Sequence, residues 1–296
     1  MAGPKRVLVR LLGWAGVAAL AGGALYAGWI GAISEWKRLR RHDVPLVALR
    51  SSRPPDLVEG KRMARIVGCW DGCHGRTGGG GTEEILGILQ ASAPPLGSVV
   101  PLYTDEELAR LVREGVKRDG RSAVGMISYT FWALGDQDLV DIFAHLRAQP
   151  AVPAVERRMD LTWEGRKALV SGRWGVSADL VDRSRPRWGD LPQRTPFERG
   201  RYLASVTCSE CHGLDFHGNP LERAPSLALL GSYSPEDFHH LIRTAEAPGP
   251  RRLDEAMSWV ADAPFTDAEV DALYQFLRGH FGFPEWHAPQ PAPPPG

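Results

Sequence analysis

TCSECHG, residues 207–213, places two cysteines three positions apart with a histidine directly after the second. A looser version stands upstream in GCWDGCHG, residues 68–75, where three residues separate Cys69 from Cys73 ahead of His74. The chain has four cysteines in 296 residues, and all four sit in these two stretches. That is too few for a disulfide framework in a chain this long. Cys-x-x-Cys-His is the spacing of covalent haem attachment. Each thiol adds to a vinyl group of the porphyrin, and the next residue, histidine, is held under the iron as an axial ligand. Cys208, Cys211 and His212 take those roles on this reading, and Cys69, Cys73 and His74 take them a second time.

Two other chemistries compete. A structural zinc ion needs four ligands, and each stretch supplies only two cysteines and one histidine at close range. A redox-active Cys-x-x-Cys belongs in a βαβ setting, which the sequence lacks. GCWDGCHG alone leaves the question open, and its neighbours decide it.

Those neighbours repeat. DLVEGKRMARIVGCWDGCHG, APPLG, TDEELARLVREGV, GRSAVGM and GDQDLVDIFAHLR are followed later by FERGRYLASVTCSECHG, APSLA, SPEDFHHLIRTAE, RRLDEAM and TDAEVDALYQFLR. His74 and His212 are 138 apart, Thr104 and Ser234 130, and Met126 and Met257 131. The first copy is longer, and the extra length is assigned to GRTGGGG after its CHG. A duplication with several helices per copy predicts two similar domains, not a solenoid.

Each copy reads as three helices. Gly60 and Gly200 sit in the first, where a missing side chain lets another helix approach. Thr104 with Glu107 and Thr266 with Glu269 are capping-box pairs, and Ser234-Pro235 puts proline at a helix start. Leu108, Leu111, Val112 and Val116 recur at helical spacing, as do Leu139, Ile142, Phe143 and Leu146, and Val270, Leu273, Tyr274 and Leu277. No period-2 run competes, so the predicted class is all-α. The domains are expected at 57–149 and 196–282. Between them, 150–195 is an ordered linker with a short helix near Trp163–Ser171, and 283–296 is a proline-rich disordered tail.

Residues 1–56 hold a stub, an anchor and a juxtamembrane linker. From Leu11 to Ser34 no residue is charged, and 24 residues of helix reach about 36 Å, enough for a bilayer core of about 30 Å. A cleaved secretory signal ending near Ala19-Leu20-Ala21 is the other reading. The uncharged run continues well past that point and carries Tyr26 and Trp29, which favours an uncleaved anchor. Basic residues flank both ends, Lys5, Arg6 and Arg10 before and Lys37, Arg38, Arg40 and Arg41 after, so their count is ambiguous and leans against a periplasmic body. The composition, 43% apolar and 24% charged with zero net charge, allows a folded body and offers nothing to nucleic acid.

Met126 and Met257 occupy matching places between the middle and last helices and are the candidate sixth ligands; methionine opposite histidine raises the reduction potential. Met63 and Met159 have no counterparts and read as packing. His145, His239, His240 and His280 are the competing histidine ligands, none at a repeated position.

Together these features resemble the dihaem cytochromes c: two class I cytochrome c domains in tandem behind a membrane anchor. The resemblance covers residues from about 57 to 282. It implies two covalently bound haem c groups and a proline carbonyl that orients each proximal histidine, at Pro94 and Pro225. It also implies single-electron relay between redox partners such as a dehydrogenase, an oxidase or a small cytochrome, as part of a larger complex. The haem domains would lie on the periplasmic side of a bacterial inner membrane. The longer Cys69–Cys73 spacing departs from the pattern. A dihaem redox enzyme, peroxidase-like or sulfur-oxidising, is the alternative, and a sensor or assembly subunit with a structural haem is a third. A cysteine-ligated catalytic haem is disfavoured because attachment uses every cysteine.

Overall fold

The computed structural model describes residues 4–69, 73–153, 158–248 and 255–284. The chain begins with α1 (Pro4–Leu39), whose segment Leu8–Leu39 is long and apolar enough to cross a membrane. The first repeat contributes α2 (Leu57–Ile66), a hairpin of β1 (Gly81–Ile85) and β2 (Leu89–Ala93), then α3 (Leu96–Val99), α4 (Asp105–Glu114), α5 (Ser128–Phe131) and α6 (Asp136–Arg147). Between the repeats lie β3 (Met159–Leu161), α7 (Trp163–Ser171) and α8 (Ser177–Leu180). The second repeat contributes α9 (Pro196–Thr207), α10 (Ser209–His212), α11 (Pro235–Thr244) and α12 (Asp267–His280).

In both repeats the first helix crosses the last at a glycine. A Cβ on Gly60 would stand 2.0 Å from the Asp141 carbonyl oxygen of α6, and one on Gly200 1.9 Å from that of Ala272 in α12. Any other residue would push the helices apart. The crossings bury Leu139, Ile142, Phe143 and Leu146 on one side and Val270, Leu273, Tyr274 and Leu277 on the other. Both expected capping boxes close, at Thr104 and Thr266, and each satisfies helix-end N–H groups that would lack partners.

The two repeats share one hydrophobic core and meet reciprocally. Arg62 of α2 donates to both carboxylate oxygens of Glu269 at the start of α12, at 2.7 and 3.1 Å. Tyr202 of α9, at the position matching Arg62, donates to Asp138 at the start of α6. Arg65 reaches the Asp262 carbonyl at 3.2 Å, while Ser209 donates to Thr130 at 3.3 Å. Arg62–Glu269 and Tyr202–Asp138 thus join equivalent positions in opposite directions, the pattern of a two-fold interface.

The all-α expectation needs a correction. β1, β2 and β3 form a three-stranded antiparallel sheet in that order. Ile88, Leu89 and Ala91 cluster with Ile85 of β1 and with Val124, Leu161 and Trp174, the last three from distant parts of the chain. Such short strands gain their stability from those partners, so no long alternation was needed. Met159, expected as packing, lies exposed on β3, whereas Met63 is fully buried. The proline-rich tail beyond Pro284 falls outside the described residues.

The stretch between the repeats packs on both. Ser177 donates to the Met126 carbonyl, Gly189 to that of Ala133 at 2.9 Å, and Arg185 to that of Leu214 at 2.7 Å.

Candidate functional site

Each Cys…Cys-His stretch follows directly on the first helix of its repeat, but the two arrive differently. α9 runs to Thr207, Cys208 keeps helical backbone angles, and α10 carries on to His212. α2 stops at Ile66, and Gly68 turns the chain with a φ of 72° before Cys69. Residues 70–72, where the extra residue lies, are outside the described part.

Beyond the histidine the two sites converge. His74 Nδ1 lies 2.7 Å from the Pro94 carbonyl oxygen, and His212 Nδ1 lies 2.8 Å from that of Pro225. A ring that donates from Nδ1 carries its neutral proton there and keeps the lone pair of Nε2 for a metal. Burial pushes both histidines below their ordinary pKa, with the proline carbonyls partly opposing it, so both rings are neutral at pH 7.

The turn that returns the chain to each proline is also shared. Gly80 donates to the His74 carbonyl at 2.9 Å, and Gly218 to that of His212 at 2.9 Å. Both need positive φ, 84° and 98°, and a Cβ on either would crowd the residues around the proline. Even Gly78 and Phe216, with φ of 64° and 63°, correspond. GRTGGGG is therefore not the insertion: its residues match Gly213–Asn219. From Gly80 to Pro94 is 14 positions and from Gly218 to Pro225 is 7, so the added residues are the β1–β2 hairpin.

All four cysteines are free thiols, so neither stretch is closed by a disulfide. Burial pushes the Cys69 thiol up to about 12; at Cys211 burial together with Glu210 and Glu222 has the same effect. At Cys73 burial raises the pKa to about 11, and Glu210 adds to it. Glu210 belongs to the other stretch, so the two motifs lie close enough for one carboxylate to act on a thiol of each. Glu210 itself is raised to about 7 by burial and then by Glu222. Sequence reading did not single out Glu210 or Glu222; a charged residue between two attachment cysteines was the available signal.

Met126 and Met257 are both partly buried and pack against the shared core at the matching places the repeat gave them. The competing histidines are otherwise engaged: His239 meets the Asp271 carboxylate at 2.8 Å, His280 the Asp215 carbonyl at 3.0 Å, and His240 the Glu246 carboxylate at 3.4 Å. His145 is buried on α6 beside Gly60. Among the described residues no group of three or more His, Cys, Asp or Glu side chains could enclose a metal ion by itself.

Free thiols, neutral imidazoles with Nδ1 engaged and a carbonyl behind each ring are the donor set that covalent haem requires. Residues 197–280 match the sequence model of the cytochrome c family. A cytochrome c domain occupies that stretch. Two curated relatives are also similar, and the first covers enough of the chain to reach into the first repeat. The fructose dehydrogenase cytochrome subunit of Gluconobacter japonicus is 23% identical over 273 residues, covering 77% of this chain and 53% of its own length. The alcohol dehydrogenase (quinone) cytochrome c subunit of Gluconobacter oxydans (strain 621H) is 24% identical over 159 residues, covering 51% of this chain and 33% of its own length. The chain thus spans about half the length of the first relative and a third of the second. At the level these findings share, the chain is predominantly helical, has one N-terminal helix of membrane-spanning length and is similar to cytochrome c over residues 197–280.

Proposed function

We propose that the chain is a membrane-anchored dihaem c-type cytochrome that relays single electrons, with tandem cytochrome c domains at 57–149 and 196–282. The observation that carries this reading is the paired proximal arrangement. His74 on Pro94 and His212 on Pro225 share a bond length, a glycine turn and a helix crossing, although only the second lies within the family match. Cys69 and Cys73 would hold one haem and Cys208 and Cys211 the other. His74 with Met126 and His212 with Met257 would be the axial ligands. The bound group supplies reversible one-electron exchange at iron.

The chain's own residues set the conditions for that exchange. The proline carbonyls fix each imidazole plane and, by accepting the Nδ1 proton, make the ring a better donor through Nε2. The Met126 and Met257 thioethers, soft neutral ligands, would favour the reduced state of a bound iron. The shared hydrophobic core of the two repeats supports a relay between two sites held in one body. The cytochrome subunits of the two related dehydrogenases support a dehydrogenase as one partner. The membrane-length helix and the haem attachment chemistry support an inner-membrane location with periplasmic domains.

The test is optical. Oxidised protein should show a weak far-red band from methionine ligation, and Met126→Ala and Met257→Ala should each remove about half of it. A high-spin signal, or peroxide turnover by the unaltered protein, would overturn the carrier reading in favour of a redox enzyme.

A further inference from the structure

We infer that α7 seats the protein on the bilayer, with Trp163 lying in the interfacial layer beside α1. The inference rests on the reading of α1 as a spanning anchor. The charge-free run starts at Leu11, and 20 helical residues, about 30 Å, bring the outer edge of the hydrocarbon to Ile30. Up to that residue the helix is bare: Leu20 is 77% exposed, Leu25 76% and Trp29 53%. Ile30 drops to 2% and Ser34 to 0%. The helix therefore enters the protein at the height where it leaves the hydrocarbon.

What covers it there is α7, which runs parallel to α1. The Trp163 ring meets Tyr26 edge-on with centroids 6.5 Å apart. Arg166 donates to Ser34 at 2.8 Å and Glu35 at 2.9 Å. Lys37 donates to the carbonyl oxygens of Leu169 and Val170 at the end of α7, at 2.8 and 3.4 Å, where the helix dipole welcomes a cation. Trp163 consequently stands level with Tyr26, one turn on the membrane side of Ile30, yet it is 44% exposed. Tyr26 in turn stacks on Trp29 at 6.2 Å.

Three amphipathic rings within about one helical turn of the hydrocarbon edge, continuous with the lipid-facing surface of α1, have the composition of an interfacial aromatic belt. The occupant of this patch is the headgroup–acyl boundary of the same bilayer. Because α1 and α7 are locked by an ion pair and a helix-end cap, α1 is not a loose tether. The body keeps one tilt to the membrane and presents the same edge to it.

The full chain, haem-loaded and reconstituted in nanodiscs of phosphatidylcholine and phosphatidylglycerol, tests this. A photo-crosslinking benzoylphenylalanine is placed at Leu20, Trp163 or Leu221 in separate preparations, each checked for an unchanged Soret band. Phospholipid adducts at Leu20 and Trp163 with none at Leu221 are expected. Adducts at Leu20 but not at Trp163 overturn the inference and leave the anchor standing. Adducts at neither overturn the anchor itself, and equal adducts at Leu221 show that lipid contact at Trp163 has no special meaning.

Discussion

The two repeats differ before the histidine and agree after it. α9 carries its helix straight into Cys208, whereas α2 breaks at Gly68 and spends an additional residue between Cys69 and Cys73. From His74 and His212 onward, both repeats turn through glycines at positive φ and return a proline carbonyl to the imidazole. On the dihaem reading the difference separates two demands: the thiols are reached from helices that end differently, whereas an axial imidazole needs its plane and its tautomer fixed.

The largest expected effect separates the sites outright. The double variant Cys208→Ala/Cys211→Ala should lose one covalent haem and keep the other, and Cys69→Ala/Cys73→Ala should do the reverse, as read from intact mass. A first-repeat variant that changes nothing would break the comparison. Next come the crossings: Gly60→Ala and Gly200→Ala should each destabilise by about 3 kcal/mol or more, because a Cβ would overlap a carbonyl oxygen that cannot withdraw. Denaturant unfolding checks this, and a mild effect at Gly60 alone would mean that the first repeat packs differently.

The reciprocal seam gives a smaller test with opposite signs. Burial opposes ionisation of Glu269, but Arg62 and Arg199 outweigh it and hold its pKa to about 2. A carboxylate lowered from its usual value near 4.3 contributes up to about 3 kcal/mol, present above that value and lost as pH falls toward 2. Glu269→Gln should therefore destabilise at pH 7 and flatten the acid limb of the stability curve. Its counterpart Asp138 is raised by burial, against the bond from Tyr202. Its contribution is present at low pH and declines as pH rises through the carboxylate range, so Asp138→Asn should flatten a slope of the other sign. Thermal melts between pH 3 and 7 compare the two. Smallest is the turn of the β1–β2 hairpin. Leu86 holds a φ of 54°, and Leu86→Asn should stabilise by about 1 kcal/mol, measured as a shift in the unfolding midpoint.

What could be read from the sequence was local. The attachment spacings, the capping boxes, the two helix-crossing glycines and the matched methionines are patterns within a few turns of chain. The hairpin escaped because, besides the local Ile85, the cluster of Ile88, Leu89 and Ala91 packs with Val124, Leu161 and Trp174, which lie far from it in sequence. The seam escaped for the same reason, since Arg62 and Glu269 lie 207 residues apart. The place of the insertion was misjudged because a run of glycines looks like a loop, while the turn at Gly78 and Gly80 is repeated in the second copy with Phe216 at one of the same positions.

The central claim is that both repeats carry haem, including the one whose cysteines stand one residue too far apart. Intact-mass measurement of the purified full chain tests it most directly. A mass increased by two haem groups is the expected result, and a mass increased by one would leave GCWDGCHG without its cofactor and contradict the account.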